Sequence, residues 1–295
     1  MPLIIRTAVQ VIRAVGGEPF IVPAMGSHGG ATAEGQLAIL ESLDITQESV
    51  GAPIMSSMEV VEIGRTDKDV PVYFDKNALS SDGILVINRV KPHTGFRAAN
   101  ESGLVKMISV GLGKGKGCAT MHQNGLAKTI PAAAQVALKV APIIGGLGIV
   151  ENSKEQTANI RAALPEELMR VDSELLLEAK GYLPQIPFDE FDVLIVDEMG
   201  KNVSGTGMDV NVIGRMYKLG EPELERPRIK RIAVLDLTEA SHGNALGMGL
   251  ADIMTERLSK KIDFAATYAN VIAAGVLERG RAPISVKNDL EAIRI

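Results

Sequence analysis

The sequence holds one cysteine, Cys118, no tryptophan, and ten other aromatic residues, four Tyr and six Phe, among 295. A single cysteine excludes an intramolecular disulfide framework and any thiolate-rich zinc or iron–sulfur cage built from this chain alone. So few aromatic rings disfavour base-stacking or carbohydrate-stacking sites. Long basic runs are also missing. The densest piece is Arg226-Pro227-Arg228-Ile229-Lys230-Arg231, within a chain whose 31 basic and 36 acidic residues leave a net charge of −5. Nucleic acid is therefore not expected as a partner, because its binding draws on a clustered positive surface. Nor is there an apolar run long enough for a bilayer: AAAQVALKVAPIIGGLGIV is broken by Lys139, Pro142 and a glycine pair. The N-terminus spreads Arg6 and Arg13 through its apolar residues instead of clustering charge ahead of them, which is not the layout of a secretory signal. The expectation is a cytoplasmic protein that neither enters nor binds membrane.

What is present is apolar residue, 46% of the chain, enough to build packed cores and too much for a disordered state. The length predicts about two domains. Leu3, Ile4, Ala8, Val11, Ile12 and Val15 recur at helical spacing, ended by Gly16-Gly17 and followed by PFIVPA as a buried strand. A domain that starts on a helix leading into a core strand is expected to lack its first strand. Further along, the patterns predict a helix over 31–43, strands near 59–63 and 70–74, and GILVIN (83–88) as a fully buried strand. A helix is predicted through 132–140 and a long one over 156–180. Two prolines in Tyr182-Leu183-Pro184-Gln185-Ile186-Pro187 mark a linker. Beyond it, DVLIVD (192–197) and RIAVLDL (231–237) read as strands and 245–258 as a helix. Continuous apolar strands alternating with helices predict an α/β fold of two α/β domains, residues 1–185 and 186–295, with sheets covered on both faces and the active site in the cleft between the domains.

The chemistry-bearing residues gather in loops at strand ends. His28 lies in Ala24-Met25-Gly26-Ser27-His28-Gly29-Gly30 after PFIVPA, as a ligand-facing histidine or as one that merely caps the next helix. His93 follows GILVIN amid Arg89, Lys91 and Arg97; close cations would favour a neutral imidazole and attract an anion, while the bland alternative is a solvated basic loop. Between Lys106 and His122 runs Gly111-Leu112-Gly113-Lys114-Gly115-Lys116-Gly117, in which glycines alternate with lysines. Such a segment can offer N–H groups and ammonium charge to an anion. It matches neither G-x-x-x-x-G-K-[ST] nor G-x-G-x-x-G, so no nucleotide fold follows from it. His242, in Ser241-His242-Gly243-Asn244, also follows a strand, with capping by Ser241 or Asn244 as its plainer explanation.

These residues resemble the lactate racemase family, nickel-pincer-dependent racemases and epimerases of 2-hydroxy acids. Gly26-Ser27-His28, Pro92-His93-Thr94-Gly95-Phe96, Lys106 and His122 match its motifs in order, and Lys106 and His122 stand 16 positions apart as in the family. The likeness is strongest over about 22–125. Residues 97–103 depart from the family's serine-glycine-glycine run and lengthen the interval from His93 to Lys106 by about three. The family's substrate-contacting arginine would precede Met1, and residues 200–209 resemble a distinct branch.

The resemblance implies an isomerase whose cofactor is a nickel pincer pyridinium mononucleotide, with His122 ligating the nickel and Lys106 binding the cofactor. It implies His28 and His93 as the two acid/base groups of a hydride-transfer mechanism acting on a small anionic 2-hydroxy acid. Lys114 and Lys116 are expected as phosphate or carboxylate contacts, and Lys201, after DVLIVD, as a cofactor-site lysine from the second domain. A homo-oligomer is compatible with all of this. The alternative is a nickel-free anion- or phosphate-binding protein that kept the fold. A kinase reading lacks a paired acidic magnesium motif.

Overall fold

The computed structural model describes residues 1–295. They form two compact units, Met1–Pro92 with Arg97–Tyr182, and His93–Phe96 with Leu183–Ile295.

The first unit opens on helix α1 (Pro2–Ala14), with Pro2 in the first turn, where its missing N–H leaves no bond unmade. Helix α2 (Ala33–Ser42) begins where the Thr32 hydroxyl accepts the Gly35 N–H at 3.0 Å, and the short α3 (Gln47–Val50) carries a reciprocal Thr46–Ser49 capping box. Strands β1 (Val60–Arg65) and β2 (Pro71–Asp75) pair antiparallel. Helix α4 (Lys76–Leu79) follows, capped by Asp75. Strand β3 (Ile84–Arg89) then pairs in parallel with β4 (Ile143–Glu151), and the crossover between them carries α5 (Leu104–Lys106), α6 (Lys114–Gln123) and α7 (Leu126–Val140). Strand β5 (Thr157–Ala163) adds antiparallel to β4, and α8 (Leu168–Tyr182) packs back on β4. That packing is close: a Cβ at Gly148 would sit 2.4 Å from a Leu175 methyl, so only glycine lets the helix approach the strand here.

Several expectations for this unit are corrected. PFIVPA forms only an isolated parallel bridge, Ile21 with Ile54, and no extended ladder. The helix expected over 156–180 splits into β5 and α8, because the edge of β4 offers a ladder to residues 157–163 and tertiary pairing overrides local propensity. The second half of the glycine–lysine segment, 114–117, is wound into the first turn of α6 instead of forming a loop, and only 111–113 remain a turn. Glycine is a poor helix former, and burial of Gly113 and Gly117 against β2 and the preceding turn overrides that preference.

In the second unit, strands β6 (Glu190–Met199), β7 (Arg228–Leu237), β8 (Ile253–Thr255) and β9 (Ile284–Val286) form one parallel sheet in that order. Helices α9 (Val210–Ile213), α10 (Glu256–Lys261), α11 (Phe264–Ala274) and α12 (Asp289–Arg294) complete it. Its core is rich in methionine, with Met199, Met208, Met216, Met248 and Met254 buried among Val210, Ile232, Val234 and Leu258. The helix predicted over 245–258 is instead a short 3₁₀ turn, strand β8 and the start of α10, since Ile253-Met254-Thr255 pairs with both β7 and β9. Coverage of both faces is incomplete at the edge strand β6, where Val193 and Ile195 are exposed. The mixed α/β class holds in both units. No helix is long and apolar enough to cross a membrane.

Candidate functional site

The loop bearing His28 is built from short-range bonds and one long-range anchor. Gly26 N donates to Gly111 O at 3.1 Å, tying the loop to the turn that follows Lys106. The fully buried Gln36 side chain donates from α2 to Gly26 O at 2.9 Å and to His28 O at 3.4 Å. Ser27 Oγ lies 3.3 Å from Cys118 Sγ. His28 itself is exposed, at the head of the 3₁₀ turn Gly29–Ala31.

Lys106 closes the single turn of α5 and leads into a wide π-helical turn, Met107–Gly111. Irregular turns of this kind are frequent at functional sites. No hydrogen bond or ion pair holds its ammonium group. Burial pushes its pKa down to about 8, the Lys91 charge pushes the same way, and Cys118 opposes both. Cys118 is buried on α6, and His122, exposed in the last turn of the same helix, lies four positions further on. Residues at i and i+4 share a helix face, so Ser27, Lys106, Cys118 and His122 belong to one neighbourhood of the first unit, with His28 next to Ser27.

The flanking lysines differ. Lys114 is completely buried: its Nζ donates to Pro23 O and, at 3.3 Å, to Gln36 Oε1, and sits 3.3 Å from Asp75 Oδ2. Asp75 Oδ2 accepts no hydrogen bond, so its pairing with Lys114 is a charge contact without hydrogen-bond geometry. Burial pushes the Lys114 ammonium down and Asp75 holds it up. Lys116 is exposed in the first turn of α6, with its ammonium 4.2 Å from the centre of the Tyr73 ring.

His93 belongs to the second unit. Its ring packs on the buried Phe96 with centroids 4.4 Å apart, its Nδ1 accepts the Gly95 N–H at 2.8 Å, and Lys218 Nζ donates to Gly95 O at 2.6 Å. With Nδ1 accepting, the neutral ring carries its proton on Nε2. Lys201, in the turn after β6, donates from Nζ to Gly205 O at 2.6 Å and to Asn270 Oδ1 at 2.8 Å, and burial pushes its ammonium down. His242 is exposed and takes a left-handed backbone, φ 46° and ψ 44°. Neither candidate cap serves a helix there: Ser241 Oγ accepts the Lys201 N–H, and Asn244 Oδ1 accepts the Leu246 N–H.

Sequence reasoning passed over Cys118, Gln36, Asp75 and Asp172. The spacing of Cys118 from His122 was a usable signal once the segment is helical. Asp172 had another, since it interrupts the apolar positions Leu168, Val171 and Leu175 of one helix face. No group of three or more His, Cys, Asp and Glu side chains converges in a way that would cage a metal. A hollow of about 490 Å³ lined by Arg13, Gln47, Glu48, Gly51, Ala52 and Pro53 shares no residue with the Lys106 neighbourhood.

Residues 2–133 match the family model described as the lactate racemase N-terminal domain, a span that contains His28, His93, Lys106, Lys114, Lys116 and His122. The lactate racemase apoprotein from Thermoanaerobacterium thermosaccharolyticum has a similar structure, with a TM-score of 0.57 at 16% identity over 99% of this chain and 74% of that one. No curated protein matches by sequence. At 16% identity that likeness establishes fold. The resemblance to the lactate racemase family read from the motifs is thus borne out, by a lactate racemase-like N-terminal domain over 2–133 and a lactate racemase-like two-domain α/β fold.

Proposed function

We propose that the protein is a nickel-pincer nucleotide-dependent racemase or epimerase of a small 2-hydroxy acid. The observation that carries this reading is the unpartnered Lys106 amine, held near pKa 8 beside the face of α6 that bears His122, inside the unit that matches the family's N-terminal domain. The donor set fits the cofactor. A pincer ligand would bring carbon and sulfur donors of its own, so one protein imidazole would suffice, and a nitrogen donor suits Ni(II). His122 is that imidazole, exposed in the last turn of α6. When bound, the group supplies a reversible hydride acceptor, which spares the substrate carbon from becoming a carbanion.

The chain's own residues supply the rest. About a quarter of Lys106 amines are neutral at pH 7.5, against about one in a thousand for an ordinary lysine, so Lys106 is competent to hold the cofactor covalently. Lys116, exposed in the first turn of α6, offers a cation to a phosphate or carboxylate alongside the helix N-terminus. His28 and His93 remove and return the hydroxyl proton, one for each enantiomer, and the Gly95 bond to Nδ1 directs exchange at His93 through Nε2. Lys114 and Lys201 are committed to protein acceptors, and their part is to hold the α6 turn and the 200–209 turn in place.

The test is intact mass and nickel content of protein co-produced with cofactor-synthesising enzymes, together with racemisation of a 2-hydroxy acid deuterated at the hydroxyl-bearing carbon. A mass adduct on Lys106, stoichiometric nickel and deuterium retained through inversion are expected. Protein that takes up no nickel and no adduct but binds inorganic phosphate would overturn the reading in favour of the anion-binding alternative, and extensive washout of deuterium would remove the hydride route.

A further inference from the structure

We propose that Asp172 is the positioning residue for Lys106: from α8 its carboxylate caps the turn that carries the lysine, and Asn100 holds that carboxylate in place. Asp172 is completely buried, and its partners are N–H donors. Oδ1 accepts the Leu104 N–H at 2.5 Å, the Val105 N–H adds a second backbone bond, and Oδ2 accepts from Asn100 Nδ2 at 2.9 Å. No lysine or arginine pairs with it. A buried carboxylate without a cation is expensive unless donors surround it, and here the donors are the free N–H groups at the head of α5. Burial pushes the Asp172 carboxyl up, against these three bonds, which favour the ionised form.

The arrangement is too specific for general packing. A Cβ at Gly103 would stand 2.0 Å from Asp172 Oδ1, so the residue before the turn must be glycine for the carboxylate to reach the Leu104 and Val105 amides. Asn88 on β3 donates to Gly103 O at 3.1 Å, which fixes the same turn from the strand side. Asn100 donates a second bond to Met169 O at 3.0 Å, so its amide is itself anchored to α8. Next to it, the buried Glu101 takes Lys180 of α8 at 2.9 Å. Residues 100–104 are thereby stapled to α8 between Met169 and Lys180, about three turns of that helix. A one-turn helix running into a π turn has no stability of its own, so where Lys106 sits, and how deeply its amine is buried, depends on this cap. Asp172 touches no ligand; it acts through Leu104 and Val105.

The functional meaning of this inference rests on Lys106 as the cofactor anchor, but its test does not. The full chain, without cofactor, is acylated with an amine reagent across pH 6–11, and Lys106 is followed by peptide mass spectrometry against exposed lysines of the same molecule. Cys118 on α6 and Lys91 after β3 are the titratable groups that act on the amine, and both are kept. The wild-type midpoint is expected near 8. In Asp172→Asn and Asn100→Ala the turn loosens, the amine gains water and the midpoint moves up, so labelling at pH 7.5 falls about tenfold or more while the reference lysines are unchanged. A purely structural Asp172 would lower the melting temperature and leave the midpoint at about 8, and that result in either folded variant overturns the proposal. Should the Asp172 variant fail to fold, Asn100→Ala, which deletes the Asn100 bonds to Asp172 and Met169 O but keeps the carboxylate, decides it. Failure to load nickel would count against the proposed function and leave this result standing.

Discussion

Replacing Lys114 by Met separates the two lysines of the glycine-rich segment. The methionine keeps most of the apolar stem but removes an ammonium that serves Pro23 O, Gln36 Oε1 and Asp75. Asp75 keeps the bond from Ala78 N to Oδ1, yet its Oδ2, already without a hydrogen bond, loses the only nearby positive charge. Removing one partner of a buried pair costs about 3–5 kcal/mol, mostly because the other charge is stranded. At roughly 2–4 °C per kcal/mol for a unit of this size, the melting temperature of the first unit falls by about 6–20 °C. The double variant Lys114→Met with Asp75→Asn removes the stranded charge while preserving an acceptor for Ala78 N, and it recovers a sizeable part of the loss. Thermal unfolding followed by circular dichroism, with limited proteolysis to assign the transition to the first unit, measures both. A Lys114→Met protein that melts within about 2 °C of wild type and loses affinity for phosphate would refute the reasoning, because the ammonium would then face a ligand instead of the core.

Lys106→Met is expected to stabilise the chain at pH 7 by about 1–2 kcal/mol, since it removes a desolvated charge with no partner. The folded amine has a lower pKa than the unfolded one, so the unfolded state binds more protons and wild-type stability from this group rises between about pH 8 and the ordinary lysine value of 10.5. The advantage of Lys106→Met must therefore shrink across that window in paired melts at pH 7 and pH 10; an advantage that grows would contradict the depressed pKa. His122→Ala should leave the melting temperature within about 1 °C, because the side chain is exposed at a helix end, while nickel retention in cofactor-loaded protein is abolished.

Local signals in the sequence were reliable where apolar runs were continuous and long. GILVIN, DVLIVD and RIAVLDL all form strands, but only RIAVLDL is buried along most of its length: GILVIN, expected to be fully buried, and DVLIVD lie in the edge strands β3 and β6; the helix predicted over 31–43 matches α2. They failed where pairing partners decided the outcome. Thr157–Ala163 became a strand because β4 had a free edge, and Ile253-Met254-Thr255 became one because two strands flanked it. The candidate site shows the same division. His28, Lys106 and His122 could be found from motif order, and the structure gathers the Ser27-His28 loop, Lys106 and α6 through Cys118. The burial of Lys114 could not be found that way, because it depends on Asp75 and Gln36, residues 39 and 78 positions away. The cap from Asp172 spans nearly 70 positions.

Lys106 and Lys114 show why long-range contacts, more than residue type, decide which lysine is chemically available. Both have ammonium groups depressed by burial. At Lys114 the loss of hydration is offset by a carbonyl, an amide oxygen and a carboxylate, an arrangement that leaves the group charged, immobile and unreactive. At Lys106 no hydrogen bond or ion pair offsets it and Cys118 opposes it only in part, while Asp172, Asn100, Asn88 and Gly103 are all spent on keeping the turn that imposes it. Rehydrating the ammonium would take only a frayed turn, and the staple to α8 prevents that. A fold that invests a buried carboxylate and a sterically required glycine in keeping one amine poorly solvated stabilises the neutral form of that amine, which is the form that makes a covalent bond.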